Sequence, residues 1–344
     1  MRSTLRSRTA VAALALLCLA GPTAVATADP APSGAGSPDS TSTGAYVDRI
    51  DRVTDRKVTA HVYSPSMGRT IPLDILLPAD ATTPRPVLYL LNGAGGGEDS
   101  ATWQQRTDAE SFFADKDVYV ITPIGGAFSY YTDWQQDDPV LGRNKWTTFL
   151  TRELPPVVDA TFATTGANAI AGLSSSATSV LNLAIARPGL YRAVGSYSGC
   201  ASTSDDLGRA YVTTVVESRG NGDVENMWGP ADDPDWVAND AIVNAEKLRG
   251  TDLYVSSATG LPGQHERLDQ AQVDGNVEVL ANQILVGGVI EAATDECTHR
   301  FVNRLGELDI PVQAVFRPVG THSWGYWQDD LHQSWPMIET ALNR

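Results

Sequence analysis

Apolar positions fall into three textures along the chain. The first is one short run, residues 10–20, preceded by Arg2, Arg6 and Arg8 and followed by Ala26-Thr27-Ala28. A positive start, a brief apolar stretch and small residues at an A-x-A site predict a cleaved export signal over residues 1–28. The run is too short to span a bilayer, which takes about 20 residues. Cys18 lies inside it behind Leu17, not Gly or Ala, which argues against a lipoprotein-type cleavage. Residues 29–45 carry Pro, Ser, Gly and Thr and no large apolar side chain. Such a stretch cannot offset its ordering entropy by burial and reads as a flexible linker.

The second texture is alternation. Residues 58–63 and 71–77 switch between apolar and polar like the strands of an antiparallel start. From Val87 the third texture takes over: short continuous apolar runs at 87–91, 118–121, 167–171, 193–196, 253–257 and 312–316. Runs of this kind suit strands buried on both faces. Between and after them, 146–160, 175–186, 279–305 and 324–342 carry helical patterns. The β-α alternation predicts an α/β fold, a mostly parallel central sheet flanked by helices, formed by one domain over residues 46–344. Ligand sites of such sheets lie at the carboxyl ends of the strands.

Composition narrows the function. The 344 residues have a formal charge of −16, which becomes −19 once the three arginines of the signal are removed. Without a cluster of Lys or Arg to displace phosphate counterions, nucleic-acid binding is excluded as a working idea. A hydrophobic share of 42% is enough for one large core. Cys200 and Cys297 remain after cleavage, and an exported chain could join them or leave them as free thiols. His61, His265, His299, His322 and His332 are scattered, and neither H-E-x-x-H nor C-x-x-C occurs; no metal or cofactor is expected.

The strongest chemical signal is Gly172-Leu173-Ser174-Ser175-Ser176, where a strand runs straight into a helix. A serine on such a turn is pushed out above the sheet, and the N–H of the following residue, Ser175, points at a developing oxyanion. The pattern is G-x-S-x-S, whereas the usual nucleophile elbow is G-x-S-x-G. Serine needs a base. His322, in Gly320-Thr321-His322-Ser323-Trp324, sits after the last strand, where α/β-hydrolases carry theirs. Asn92-Gly93-Ala94-Gly95-Gly96-Gly97 follows an early strand and lacks the Gly-Lys-Ser/Thr ending of a phosphate loop. It suits the second backbone donor of an oxyanion hole. The acid stays open: Glu266, Asp269, Asp274, Glu278, Glu291, Asp295 and Glu296 all follow the 253–257 strand.

Further motifs carry a resemblance. Ser64-Pro65-Ser66-Met67-Gly68-Arg69, Tyr131-Thr132-Asp133-Trp134, Lys145-Trp146 with Thr148-Phe149-Leu150-Thr151-Arg152-Glu153, and Met227-Trp228-Gly229-Pro230 stand in order with the serine and histidine motifs. The chain resembles the secreted mycolyltransferases of the antigen 85 family over nearly the whole domain. The resemblance implies an α/β-hydrolase fold and a Ser-Glu-His triad, with the acid on a helix ten residues before a shared Phe. That places the acid at Glu291, ahead of Phe301. It makes Ala94 and Ser175 the oxyanion donors and sets Ser198 near the histidine. Asn92, Gly95, Ser198 and Trp324 are then the substrate-binding positions. Asn92 and Gly95 replace an Asp and an Arg of the family's sugar site, Ser257 replaces a cysteine, and residues 261–290 form a longer segment.

The expected activity is therefore an exported, monomeric serine acyltransferase. It would move a long acyl chain from an acylated trehalose or other glycolipid to a cell-wall sugar or another hydroxyl. Without the Asp and Arg, trehalose should be held less tightly than by typical members. A carboxylesterase of the esterase D type is the nearest alternative. A non-catalytic wall-binding relative is the more distant one, opposed by the intact Ser174, Glu291 and His322.

Overall fold

The continuous apolar runs form the middle of a nine-stranded sheet in the order β1-β2-β3-β5-β4-β6-β7-β8-β9. Strands β1 (Tyr46–Arg52), β2 (Lys57–Ser64) and β3 (Arg69–Leu76) are antiparallel. The remainder, β5 (Tyr119–Pro123), β4 (Arg85–Leu91), β6 (Thr164–Leu173), β7 (Tyr191–Tyr197), β8 (Asp252–Ala258) and β9 (Gln313–Arg317), pair in parallel. The structure, a computed structural model, describes residues 44–270 and 272–344. The export signal at 1–28 and all but the last two residues of the 29–45 linker lie outside the described residues.

Each predicted strand and each predicted helix is present. In β4, Val87, Tyr89 and Leu91 enter one hydrophobic cluster while Leu88 and Leu90 enter the other, so the strand is apolar throughout because both of its faces are covered. The helix Ser175–Ala186 packs on the first face and the helix Trp324–Leu342 on the second. In contrast, β2 alternates half-buried and buried positions along its whole length, as its alternating sequence requires.

Two features have no counterpart in the hydrophobic pattern of the sequence. Strand β1 has six of its seven residues exposed, so it shows no hydrophobic pattern; it carries Asp48, Arg49, Asp51 and Arg52, charges that blunt a sheet edge. Short helices at Asp206–Thr213, Val224–Trp228 and Pro234–Ala238 surround a third cluster. It contains Tyr130, Trp134, Val212, Val216, Met227, Trp228 and Trp236. These helices span five to eight residues, too few for a period to register. Cys200 and Cys297 are joined in a disulfide that ties the loop after β7 to the helix Gly288–Glu307. Beneath β8 and β9, Arg317 reaches the fully buried Asp330 at 2.5 Å, and Tyr254 OH donates to the same carboxylate at 3.0 Å.

Candidate active site

Ser174 follows the last residue of β6 and precedes the first residue of the Ser175–Ala186 helix, with φ 57° and ψ −128°. A non-glycine residue in that region stores roughly 1–3 kcal/mol of backbone strain, which the surrounding structure must hold in place. The turn is closed at its fifth position. Ser176 Oγ accepts from Leu173 N at 2.9 Å and donates to Leu173 O at 2.9 Å. A Cβ on Gly172 would stand 2.6 Å from that Oγ, so glycine is needed at the start of the turn and serine is accommodated at its end.

His322 lies on the loop after β9. Its Nε2 is 2.8 Å from Ser174 Oγ and its Nδ1 is 2.8 Å from Glu291 Oε2. An ionised carboxylate only accepts, so Nδ1 carries the proton and Nε2 is left as the acceptor facing the serine. The ring packs edge-on against Trp327 with centroids 4.9 Å apart. Glu291 sits in the first turn of the helix Gly288–Glu307 and is only 2% exposed. A buried carboxylate needs donors on both oxygens. Its Oε1 accepts from Ser198 Oγ and from the Ala258 N–H, both at 2.8 Å.

Parallel strands set this spacing. Leu173 is in register with Tyr197, Tyr197 with Ser256, and Ala258 with Arg317. Hence Ser174, Ser198, Ala258 and the loop bearing His322 leave the sheet at one end, side by side. The helix carrying Glu291 approaches this end through two glycines. A Cβ on Gly288 would lie 2.7 Å from Gly260 O, and the Gly287 carbonyl accepts from His322 N at 3.1 Å. The glycine-rich loop after β4 is equally close, since a Cβ on Gly93 would lie 3.7 Å from Ser174 Cβ. That brings Ala94 beside the serine. Ser175 opens its helix, where an N–H has no carbonyl four residues back. A cleft of about 50 Å³ opens over Ser174 and His322, walled by Tyr130, Tyr211, Val212, Val215 and Ile290. A larger groove of about 770 Å³ lies at the far end of the strands, among Arg85, Lys116 and Arg192, away from the serine.

The other carboxylates face elsewhere. Asp295 accepts from Ser257 Oγ at 2.6 Å and lies 3.6 Å from His299, while Glu278 and Glu296 are exposed. One expected substrate position is corrected by burial. Asn92 is fully buried, its Oδ1 accepting from Trp103 N at 3.2 Å, so it braces the loop after β4 and does not face a ligand. Ser198 is 2% exposed, lines the cleft over Ser174 and His322, and gives its hydroxyl to Glu291. Gly95 and Trp324 are partly exposed, the latter edge-on to Trp103 and Trp327.

Glu266, a candidate acid by its place in the sequence, takes a supporting part instead. Glu266 accepts from Thr321 Oγ1 at 2.6 Å, Tyr326 OH at 2.7 Å, Gln283 Nε2 at 2.8 Å and the Gly263 N–H at 2.6 Å. It clasps the loop that carries His322. Burial pushes its pKa up, but these hydrogen bonds outweigh burial and hold it below the ordinary glutamate value. The partners at 321 and 326 are more than fifty residues away in sequence, so no local pattern announces the contact. Among the described residues, no group of three or more His, Cys, Asp or Glu side chains converges as metal ligands.

Residues 64–338 match the family described as "Putative esterase". The diacylglycerol acyltransferase/mycolyltransferase Ag85A of Mycobacterium tuberculosis is 32% identical over 292 residues, covering 82% of this chain and 80% of its own. The structure of MPT51 from the same organism superposes with a TM-score of 0.67 at 28% identity, over 82% of this chain and 97% of that one. A fluorophosphonate-binding serine hydrolase F from Staphylococcus aureus shares the fold, with a TM-score of 0.60 at 16% identity over 84% and 98% of the two chains.

Proposed function

The chain belongs to the esterase family and, within it, to the antigen 85-like proteins, and on that premise we propose that it is an exported serine acyltransferase. The observation that carries this reading is the continuous relay Ser174 Oγ, His322 Nε2, His322 Nδ1 and Glu291 Oε2, each link 2.8 Å long. His322 takes the Ser174 proton as Oγ attacks the ester carbonyl of the donor, and Glu291 stays ionised and steadies the imidazolium. The Ala94 and Ser175 N–H groups receive the oxyanion. Collapse of the tetrahedral adduct breaks the ester C–O bond, and His322 returns the proton to the departing alcohol. An acceptor hydroxyl then gives its proton to His322 and attacks the acyl-serine, which regenerates Ser174. The Cys200–Cys297 disulfide supports export, because such bonds persist in oxidising compartments.

The donor in this reading is a long-chain ester of trehalose or of another glycolipid; the Ag85A relative is a diacylglycerol acyltransferase/mycolyltransferase, which supports an acyl donor in general. The acceptor side differs. With Asn92 buried and Gly95 lacking a side chain, neither position offers an exposed carboxylate or guanidinium to orient a sugar. A hydroxyl other than trehalose, on arabinan, a glycolipid or a wall protein, is the main acceptor in this reading.

A single incubation tests it. The pure protein receives a labelled long-acyl trehalose donor with trehalose, arabinan fragments and water in competition, and the products are separated. Transfer to arabinan above hydrolysis supports the reading, and dominant transfer to trehalose restores the ordinary acceptor. Free fatty acid alone, with every acceptor present, makes the protein an esterase. A serine-directed phosphonate should label Ser174, and Ser174→Ala should abolish both labelling and turnover.

A further inference from the structure

Seven large apolar side chains that are exposed among the described residues fall in one segment: Leu261, Leu268, Val277, Val279, Leu285, Val286 and Val289. Five of them lie on the continuous helical run formed by Val277–Asn282, Gln283–Gly287 and Gly288–Glu307. The distal part of this run is ordinary core, with Cys297, Phe301 and Leu305 buried; its first three turns bury no apolar side chain. A monomer seldom leaves such a surface uncovered without a use for it.

Two observations say what covers it. The first is continuity with the reacting serine. Val289 precedes Ile290, which walls the cleft over Ser174 and His322, and the Gly287 carbonyl holds His322 N at 3.1 Å. Leu261 and Val319 extend the same surface across the tight Gly260–Gly288 contact. A cleft of about 50 Å³ cannot enclose a long acyl chain, since pockets that engulf even a drug-sized ligand run to hundreds of Å³. The rest of the chain must lie against apolar matter at the mouth. The second observation is charge. Between Leu268 and His299 there is no Lys or Arg, and Glu278 is the one charged residue between Val277 and Ile290. Helices that settle on anionic lipid carry cations along their polar face; the exposed first turns of this run have none, and Arg300 and Arg304 lie on its distal part, paired with Asp205 and Glu307.

We propose that the face built by Leu285, Val286 and Val289, flanked by Leu261 and Val319, seats the protein on an uncharged lipid surface. The cleft over Ser174 then opens toward that surface. Donor esters pass from the lipid layer to the serine with only the reacting carbonyl entering the cleft. The inference rests on the acyl-transfer reading for the identity of what is delivered, but the docking itself does not need the chemistry.

The test separates the two. Full-length mature Ser174→Ala protein, unable to react, is floated with vesicles of digalactosyldiacylglycerol and, separately, with vesicles of phosphatidylglycerol. Binding to the uncharged vesicles is expected, unchanged by added salt because no ion pairing is involved. Leu285→Asp with Val286→Asp should lower the bound fraction about tenfold or more, since two apolar side chains become charged at the contact. The same double substitution in the Ser174 protein should keep turnover of soluble p-nitrophenyl acetate, which reports an intact fold. No flotation, equal flotation of the double variant, or flotation with phosphatidylglycerol alone would overturn the proposal. So would a dimer in sedimentation that the double variant dissociates, because the face would then be covered by a second copy. A protein that floats as expected yet turns over no ester would instead sink the acyl-transfer reading and leave docking standing.

Discussion

Glu291→Gln keeps the shape of the acid and changes only which of its atoms donate. In the native arrangement Oε1 receives two donors, the Ser198 hydroxyl and the Ala258 N–H, and Oε2 receives His322 Nδ1. A glutamine must aim its NH₂ at one side or the other. Facing Ser198 and Ala258, it would oppose the Ala258 N–H, which cannot rotate away. Facing His322, it opposes a single ring N–H, and a tautomer change relieves that clash by moving the proton to Nε2. The second orientation wins, and Nε2–H then points at Ser174 and cannot accept its proton. A loss of about 10⁴ in kcat is expected, on the order of 5 kcal/mol of transition-state stabilisation. Burst kinetics with a soluble aryl ester would measure it, and the unfolding midpoint should stay near that of the native protein. Asp295→Asn is the control, because Asp295 bonds Ser257 and not His322. Glu291→Gln within tenfold of native turnover, or an inactive Asp295→Asn, would refute the tautomer argument.

Three further outcomes follow from contacts around the site. Ser198→Ala removes one of the two donors to Glu291 Oε1 and should lower kcat about ten- to a hundredfold, the worth of a hydrogen bond to a charged group, with KM for a short ester little changed. Arg317→Leu strands the buried Asp330 carboxylate and should cost about 3–5 kcal/mol in a denaturant titration, with part of the loss recovered when Asp330→Asn is added. His265, bonded to Asp329 at 2.8 Å, has its pKa raised chiefly by that hydrogen bond, against opposing burial. Its contribution is full below the ordinary histidine value and fades as pH rises through the raised one, so thermal unfolding from pH 6 to 9 should lose stability that His265→Gln never had.

Much of this site was legible in the order of residues, for a reason visible in the fold. Ser174 lies where a strand buried over its last seven residues meets a helix with no linker between them, and those seven residues are apolar or small except Asn168. His322 is the histidine between the last strand and the last helix. The acid was different. Glu291, Asp295 and Glu296 share one helix, and what separates them is which one meets Ser198, Ala258 and His322, a fact about three other strand ends. Only the resemblance to relatives could single out Glu291. The Glu266 clasp and β1 left no local trace, the first because its partners are distant in sequence and the second because an exposed edge strand has no hydrophobic period.

The division of labour among the strand ends has an evolutionary consequence. Ser174, Ser198 and His322, from the ends of β6, β7 and β9, and Glu291, from the helix after β8, are locked to one another by hydrogen bonds. Leu285, Val286 and Val289 are exposed and stand outside that lattice. Substitutions at these three positions meet few of the constraints that hold the lattice in place. A lineage carrying this architecture can therefore alter its outer apolar face by gradual drift while the hydrogen-bonded arrangement around Ser174 stays fixed.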